Sequence, residues 1–248
     1  MKLTVLGCSG SVPGPDSPAS SYLVEYEGFR LLLDLGSGAF GALQRHHDPG
    51  AVDAVVLSHL HPDHCLDLCA YVVWLRYAVP EAVPRIPVLG PPGTHHRLAA
   101  AYDPASRTVL HDVFDFAALA PGERELGPFR LRFERVNHPV ETYAVRLQAG
   151  DRALAYSGDT GVGDALVTLA AGSDALLCEA SFVDGADNPP NLHLTGREAG
   201  EHASKAGVGR LLVTHVPPWV DRDRVAAAAA AAFAGRSELA GADRTYEI

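Results

Sequence analysis

Basic charge is scarce in this 248-residue chain: 20 Lys and Arg stand against 30 Asp and Glu, a formal net charge of −10. That balance argues against non-specific nucleic-acid binding, which relies on Lys and Arg to neutralise phosphates. It does not exclude an anionic substrate, because bound divalent cations would reverse the local field. Cysteine is sparse too. Cys8, Cys65, Cys69 and Cys178 form no C-x-x-C pair, so reduced, mostly buried thiols in a cytoplasmic protein are expected rather than a disulfide framework. Long apolar runs are missing, with nothing approaching the roughly 18 consecutive apolar residues of a membrane span. Leu6-Gly7-Cys8 has the look of a lipoprotein cleavage site, but the six residues ahead of Gly7 are too few for a charged region plus an apolar region. No repeat of about 20–50 residues is found, and no linker or composition shift divides the chain. One domain over residues 1–248 is expected, long enough to bury a substantial core.

One stretch is dense in chemistry. The apolar run Val55-Val56-Leu57 leads into Ser58-His59-Leu60-His61-Pro62-Asp63-His64, with three histidines and an aspartate inside six residues. Neutral imidazole nitrogens and a carboxylate suit zinc and similar divalent ions. A lone histidine would read as a solvated loop residue, whereas H-x-H-x-D-H after an apolar strand reads as a metal site. The sharp turn lets neighbouring side chains face two different metal positions.

The flanking chain alternates strands and helices. Strands are expected over 2–6, 21–25, 29–33, 52–57, 86–89, 123–126, 129–136, 143–147, 153–156, 175–178, 210–213 and 245–248. Helices are expected over 38–47, 65–79, 94–102, 164–171, 196–206 and 220–234. Pro80 is expected to close the second of these and Thr94 to cap the third. Thr195 with Glu198 three residues on is a capping box for the fifth. Asp34-Leu35-Gly36-Ser37-Gly38 has neither the Walker nor the dinucleotide glycine spacing, so its glycines suit a tight strand-to-helix turn, with Asp34 bracing the metal loop from behind. His95, His96 and His111 fit no ligand pattern and are expected at the surface. A rule runs through the chain: His59, His138, Asp159, Glu179 and His215 all fall where a strand finishes. Ligands of open sheets bind in the crevice beyond strand ends, so these scattered residues can converge.

With these residues in hand, the chain resembles the metallo-β-lactamase superfamily. The 59–64 stretch matches the superfamily motif, and His138, Asp159 and His215 follow in the order of the later ligands. The resemblance spans essentially the whole chain and implies an αββα four-layer sandwich, two mixed β-sheets flanked by helices. Asn137-His138-Pro139, Ser157-Gly158-Asp159-Thr160, Cys178-Glu179-Ala180-Ser181 and His193-Leu194-Thr195-Gly196 are similar to the ribonuclease-Z-like branch of phosphodiesterases. That likeness implies two divalent ions per chain: His59, His61, His138 and Asp159 hold one, and Asp63, His64, His215 and the bridging Asp159 hold the other. The N/O donor set suits zinc, and manganese or iron would be held by the same residues. Such a pair, roughly 3.5–4 Å apart, activates water and holds a phosphoryl oxygen. His193 is the candidate general acid, with Glu179 orienting it, and Asp63 the candidate proton acceptor. The plainer alternatives are a structural carboxylate at Glu179, a loop residue at His193 and a purely ligating Asp63.

Ribonuclease Z proper carries a protruding arm that grips tRNA. Here residues 143–147 are followed only by the tight turn 148–152, which leaves no room for one. A small anionic phosphodiester is therefore expected as substrate, with no stable nucleic-acid or membrane partner. Gly7-Cys8-Ser9-Gly10-Ser11, His64-Cys65-Leu66-Asp67-Leu68 and Thr214-His215-Val216-Pro217-Pro218-Trp219 look most like atypical actinobacterial cyclic-nucleotide phosphodiesterases, implying hydrolysis of cAMP to AMP by a metal-activated hydroxide. Ser20, Tyr22, Trp74 and Trp219 are candidate pocket residues. The branch also implies a homodimer, although no interface pattern is visible. The alternatives are a ribonuclease Z-type RNA 3′-end endonuclease, a phosphodiesterase for another substrate, and a non-catalytic metal carrier on the same fold.

Overall fold

A computed structural model describes residues 1–78, 84–103 and 108–248. The first half runs β1 (Lys2–Gly7), β2 (Ser21–Tyr26), β3 (Phe29–Leu33), α1 (Ala39–His46), β4 (Ala54–Val56), α2 (Pro62–Cys65), α3 (Leu68–Tyr77), β5 (Ile86–Gly90), α4 (Thr94–Tyr102) and β6 (Phe114–Ala118). The second half runs β7 (Gly122–Leu126), β8 (Phe129–Arg135), β9 (Tyr143–Ala149), β10 (Arg152–Tyr156), α5 (Asp164–Ala170), β11 (Ala175–Glu179), α6 (Gly196–Ala206), β12 (Arg210–Thr214), α7 (Arg222–Ala232), β13 (Arg236–Leu239) and β14 (Thr245–Glu247).

The strands form two seven-stranded sheets, ordered β14-β1-β2-β3-β4-β5-β6 and β13-β12-β11-β10-β9-β8-β7. Each is mixed. Neighbours are antiparallel from β14 to β3 and parallel from β3 to β6. The second sheet is antiparallel from β7 to β10 and parallel from β10 to β13. Parallel strands need crossovers, and helices supply them. Three apolar clusters then define the layers. Leu3, Tyr22, Leu31 and Val56 meet Leu131, Val145, Leu154 and Leu177 between the sheets. Leu32, Val55 and Val88 pack on Leu43, Tyr71 and Leu98 of the first helical layer. Leu176 and Leu211 pack on Leu169, Ala203 and Ala229 of the second. The architecture is the expected αββα sandwich.

Several local expectations change. Of the helix expected over 65–79, the described residues form α3 only from Leu68, Cys65 closing the separate α2, because the chain turns at Leu66 and Asp67; the Asp67 carboxylate accepts from the Phe40 amide at 2.8 Å, tying the break to α1. Pro80 lies outside the described residues. Gly93 (φ 91°) occupies the cap of α4, and the Thr94 hydroxyl donates back to Pro91 O at 2.7 Å instead. The polar edge strand β13 and the strand β6 were not expected: each is held by pairing to a parallel neighbour more than by its own pattern. At α6 the capping box is present in full, with both reciprocal hydrogen bonds of Thr195 and Glu198 formed. Among the described residues no helix is long and apolar enough to cross a membrane.

Candidate metal centre

The chain delivers side chains to one edge of the inter-sheet space, where β4, β10, β11 and β12 end. After β4 the backbone passes through Ser58–His61 into α2, whose first turn carries Pro62 at N1, a position suited to its fixed φ. The loop is braced from behind. Leu35 N donates to His64 O at 2.8 Å, and Gly36 is pressed so closely that a Cβ there would lie 1.9 Å from the Asp63 carbonyl oxygen. Glycine at 36 is thus required by a close approach, beyond the tight turn expected of it.

The candidate ligand atoms converge in two groups: His59, His61, His138 and Asp159, and Asp63, His64, Asp159 and His215, each within 4.8 Å of one another. In the first, His61 Nδ1 lies 3.0 Å from His59 Nε2 and 3.2 Å from His138 Nε2. Nitrogens each 2.0–2.1 Å from one tetrahedral ion would be about 3.3 Å apart. In the second, His64 Nε2 is 3.2 Å from Asp159 Oδ1 and 3.5 Å from Asp63 Oδ2, while His215 Nε2 is 3.2 Å from Asp159 Oδ2. Buried His64 Nε2, Asp159 Oδ1 and His215 Nε2 lack any well-formed hydrogen bond. Leaving a buried polar atom unpaired costs about 1–3 kcal/mol, so three facing one point fit a cation. Both groups therefore suit a divalent metal.

The far nitrogens of the rings are tied down. Asp34 Oδ2 accepts from His64 Nδ1 at 2.8 Å, from Ser58 Oγ at 2.7 Å and from the Tyr156 hydroxyl at 2.6 Å. Because the Ser58 hydrogen is committed to Asp34, Ser58 Oγ accepts from His59 Nδ1, 3.0 Å away. Leu192 O accepts from His138 Nδ1 at 2.8 Å, and Ser20 Oγ sits 2.6 Å from His215 Nδ1. Fixing the Nδ1 proton in this way leaves each Nε2 lone pair for the centre. Asp34 (φ 58°) and His215 (φ 55°) both adopt left-handed backbone, strain of the kind that collects at functional sites.

Charge follows the same geometry. Burial and the neighbouring His64 ring push His59 well below the usual imidazole range; burial also lowers His61 and His138. Burial would lower His64 as well, but the carboxylates of Asp159 and Asp34 override it and raise it well above that range. Asp159 is held well below the carboxylate range by His215, His64 and His59, in spite of its burial. An ionised Asp159 is thus held at the point the two groups share.

Glu179 and His193 form a third group with Asp159. Glu179 is fully buried, and its oxygens are already engaged: Oε1 accepts from His193 Nδ1 and the Thr160 amide, both at 2.8 Å, and Oε2 from the Ser181 amide at 3.1 Å. Burial alone would lower His193, but the Glu179 carboxylate overrides it and raises it to about 9. The pair thus stands beside the two metal groups, with the His193 ring oriented by the Glu179 carboxylate.

The pocket residues need correction. Ser20 and Tyr22 are fully buried behind His215, so they do not line a pocket. Trp74 packs on Phe40, ring centroids 6.4 Å apart, in the helical layer outside the first sheet. Trp219 is 68% exposed on the loop that follows His215. Residues missed in the sequence are Ser58 and the Leu192 carbonyl, which hold ligand rings, and Tyr156, which holds Asp34; the one signal was that Tyr156 lies three residues before Asp159. His95, expected at the surface, is half-buried, its ring 4.2 Å from that of exposed His111.

Residues 29–216 match the Beta-lactamase superfamily domain. A Mycobacterium leprae protein is 47% identical over 253 residues, covering 100% of this chain and 89% of that protein. YhfI of Bacillus subtilis, named a probable metallo-hydrolase, is 28% identical over 259 residues, covering 100% of both chains. Its crystal structure, described as a metallo-beta-lactamase fold protein, superposes with a TM-score of 0.87 over 99% of this chain and 98% of that one. A ribonuclease Z of Mycobacterium bovis is 29% identical over 270 residues, covering 96% of this chain and 95% of that protein. The chain belongs to the β-lactamase superfamily.

Proposed function

We propose that the chain is a binuclear-metal phosphodiesterase that hydrolyses a small cyclic nucleotide, cAMP to AMP. At the coarser level it is a metal-dependent hydrolase of the metallo-β-lactamase fold, akin to YhfI and ribonuclease Z. The observation that supports a phosphodiesterase is the meeting of two complete N/O ligand groups, sharing Asp159, with the Glu179–His193 pair; cAMP as its substrate rests on the sequence resemblance. All seven ligand positions are filled, which favours an enzyme over a carrier. The whole chain, residues 1–248, is taken as one hydrolase domain, and its four free cysteines suit the cytoplasm.

Two divalent ions, zinc by the donor set, would supply Lewis acidity toward a phosphoryl oxygen and activate a water. The protein residues do the rest. His193, kept protonated by Glu179, donates to the departing alkoxide, whose release is otherwise unfavourable. Asp63, a ligand in the second group, is the acceptor for the water's proton.

A ribonuclease reading draws on the Mycobacterium bovis relative. Against it, β9 and β10 are joined by Gly150 and Asp151 alone, so this hairpin carries no arm, and the net charge is −10. Incubation of the metal-loaded chain with cAMP, cGMP, 2′,3′-cyclic nucleotides and precursor tRNA decides. Turnover of cAMP to AMP is expected; cleavage of precursor tRNA alone would overturn the proposal.

A further inference from the structure

His215 is the candidate ligand held from the most directions, and two of its supports come from the opposite sheet. Its backbone is left-handed, at φ 55°, directly after β12. Its carbonyl accepts from the Ser181 hydroxyl at 2.8 Å, and a Cβ on Gly10 would lie 2.3 Å from the same oxygen. Its ring is held by Ser20, at the entry to β2, through the 2.6 Å contact at Nδ1. Tyr22, inside β2, closes the arrangement: its hydroxyl is 2.7 Å from Thr214 Oγ1 and directs its hydrogen toward Ser20 Oγ at 3.5 Å. Tyr22 is itself wedged against Tyr156, ring centroids 5.1 Å apart.

We infer that Ser20, backed by Tyr22, is the positioning residue that aims His215 Nε2 at the second metal group, so that this group forms only where β2 of one sheet meets β12 of the other. The inference rests on the metal reading above and not on the identity of the substrate. A serine hydroxyl suits the task because it can accept the Nδ1 proton and so leave Nε2 as a lone pair. Buried His215 Nε2 has no well-formed hydrogen bond and lies 3.2 Å from Asp159 Oδ2, the direction in which Ser20 aims the ring. In the first group the rings of His59 and His138 are held instead by Ser58 and the Leu192 carbonyl.

The test is a zinc titration of the metal-free full chain, followed by calorimetry, for wild type and Ser20→Ala. The first equivalent is expected to bind as in wild type, and the second to weaken by about 10–100-fold, the usual effect of losing a residue that orients a ligand. The ¹⁵N resonances of His215 in the metal-free chain should also show a mixed tautomer. Two equivalents with wild-type affinities would overturn the inference, and so would equal weakening of both, which marks general damage to the fold. Should Ser20→Ala not fold, Tyr22→Phe carries the same comparison, with selective loss at the second equivalent as support and no loss or parallel loss as refutation. Wild type that binds two equivalents yet hydrolyses no cyclic nucleotide would refute the proposed function and leave this inference standing.

Discussion

At the scale of single residues, the centre is governed by which atom of each side chain is already engaged. Three donors already engage the Glu179 carboxylate, one of them His193 Nδ1, which fits the proposed role of His193 as general acid. His193→Gln should therefore lower kcat by about 10²–10⁴, the usual contribution of a general acid, while the metal content of the protein stays at its wild-type value. A parallel loss of metal would place His193 among the ligands instead. Gly36 acts by contact alone. In Gly36→Ala the new methyl would sit 1.9 Å from Asp63 O, so the ligand loop must shift; a displacement near 1 Å costs about 10²-fold in rate. Steady-state kinetics with unchanged activity in Gly36→Ala would show that the loop absorbs the methyl elsewhere.

At the scale of elements, legibility depended on whether the controlling partner is near in sequence. The capping box of α6 was readable because Thr195 and Glu198 are three residues apart and each supplies the other's partner. Thr195→Ala should cost about 1 kcal/mol, read as a lower urea midpoint with an unchanged slope. The strand-end rule was readable for the same reason: a polar ligand directly after an apolar run is a local pattern. β13 was not, because Arg-Ser-Glu-Leu becomes a strand only by lying beside β12. The roles of Ser20 and Tyr22 are not legible locally because their partners, His215 and Thr214, lie 195 and 192 residues away. The break between α2 and α3 was hidden in a continuous apolar periodicity, and only the bond from Asp67 to α1 reveals it.

At the scale of the molecule, neither sheet holds the centre alone. Asp34, His59 and His64 follow strands of the first sheet, Asp159, Glu179 and His215 stand at the strand ends of the second, and Tyr156 reaches across to Asp34 at 2.6 Å. Burial of that polar cluster at a seam between two sheets is costly unless a cation pairs with it, so the facing carboxylates and imidazoles suit a metal there. Asp159 is common to both groups, so the account stands or falls on it. The decisive measurement is the metal content and cAMP turnover of Asp159→Ala beside wild type. Wild type should carry close to two equivalents of divalent metal per chain and turn over cAMP, whereas Asp159→Ala should lose metal and show no detectable hydrolysis; full hydrolysis by Asp159→Ala would contradict the two-metal centre outright.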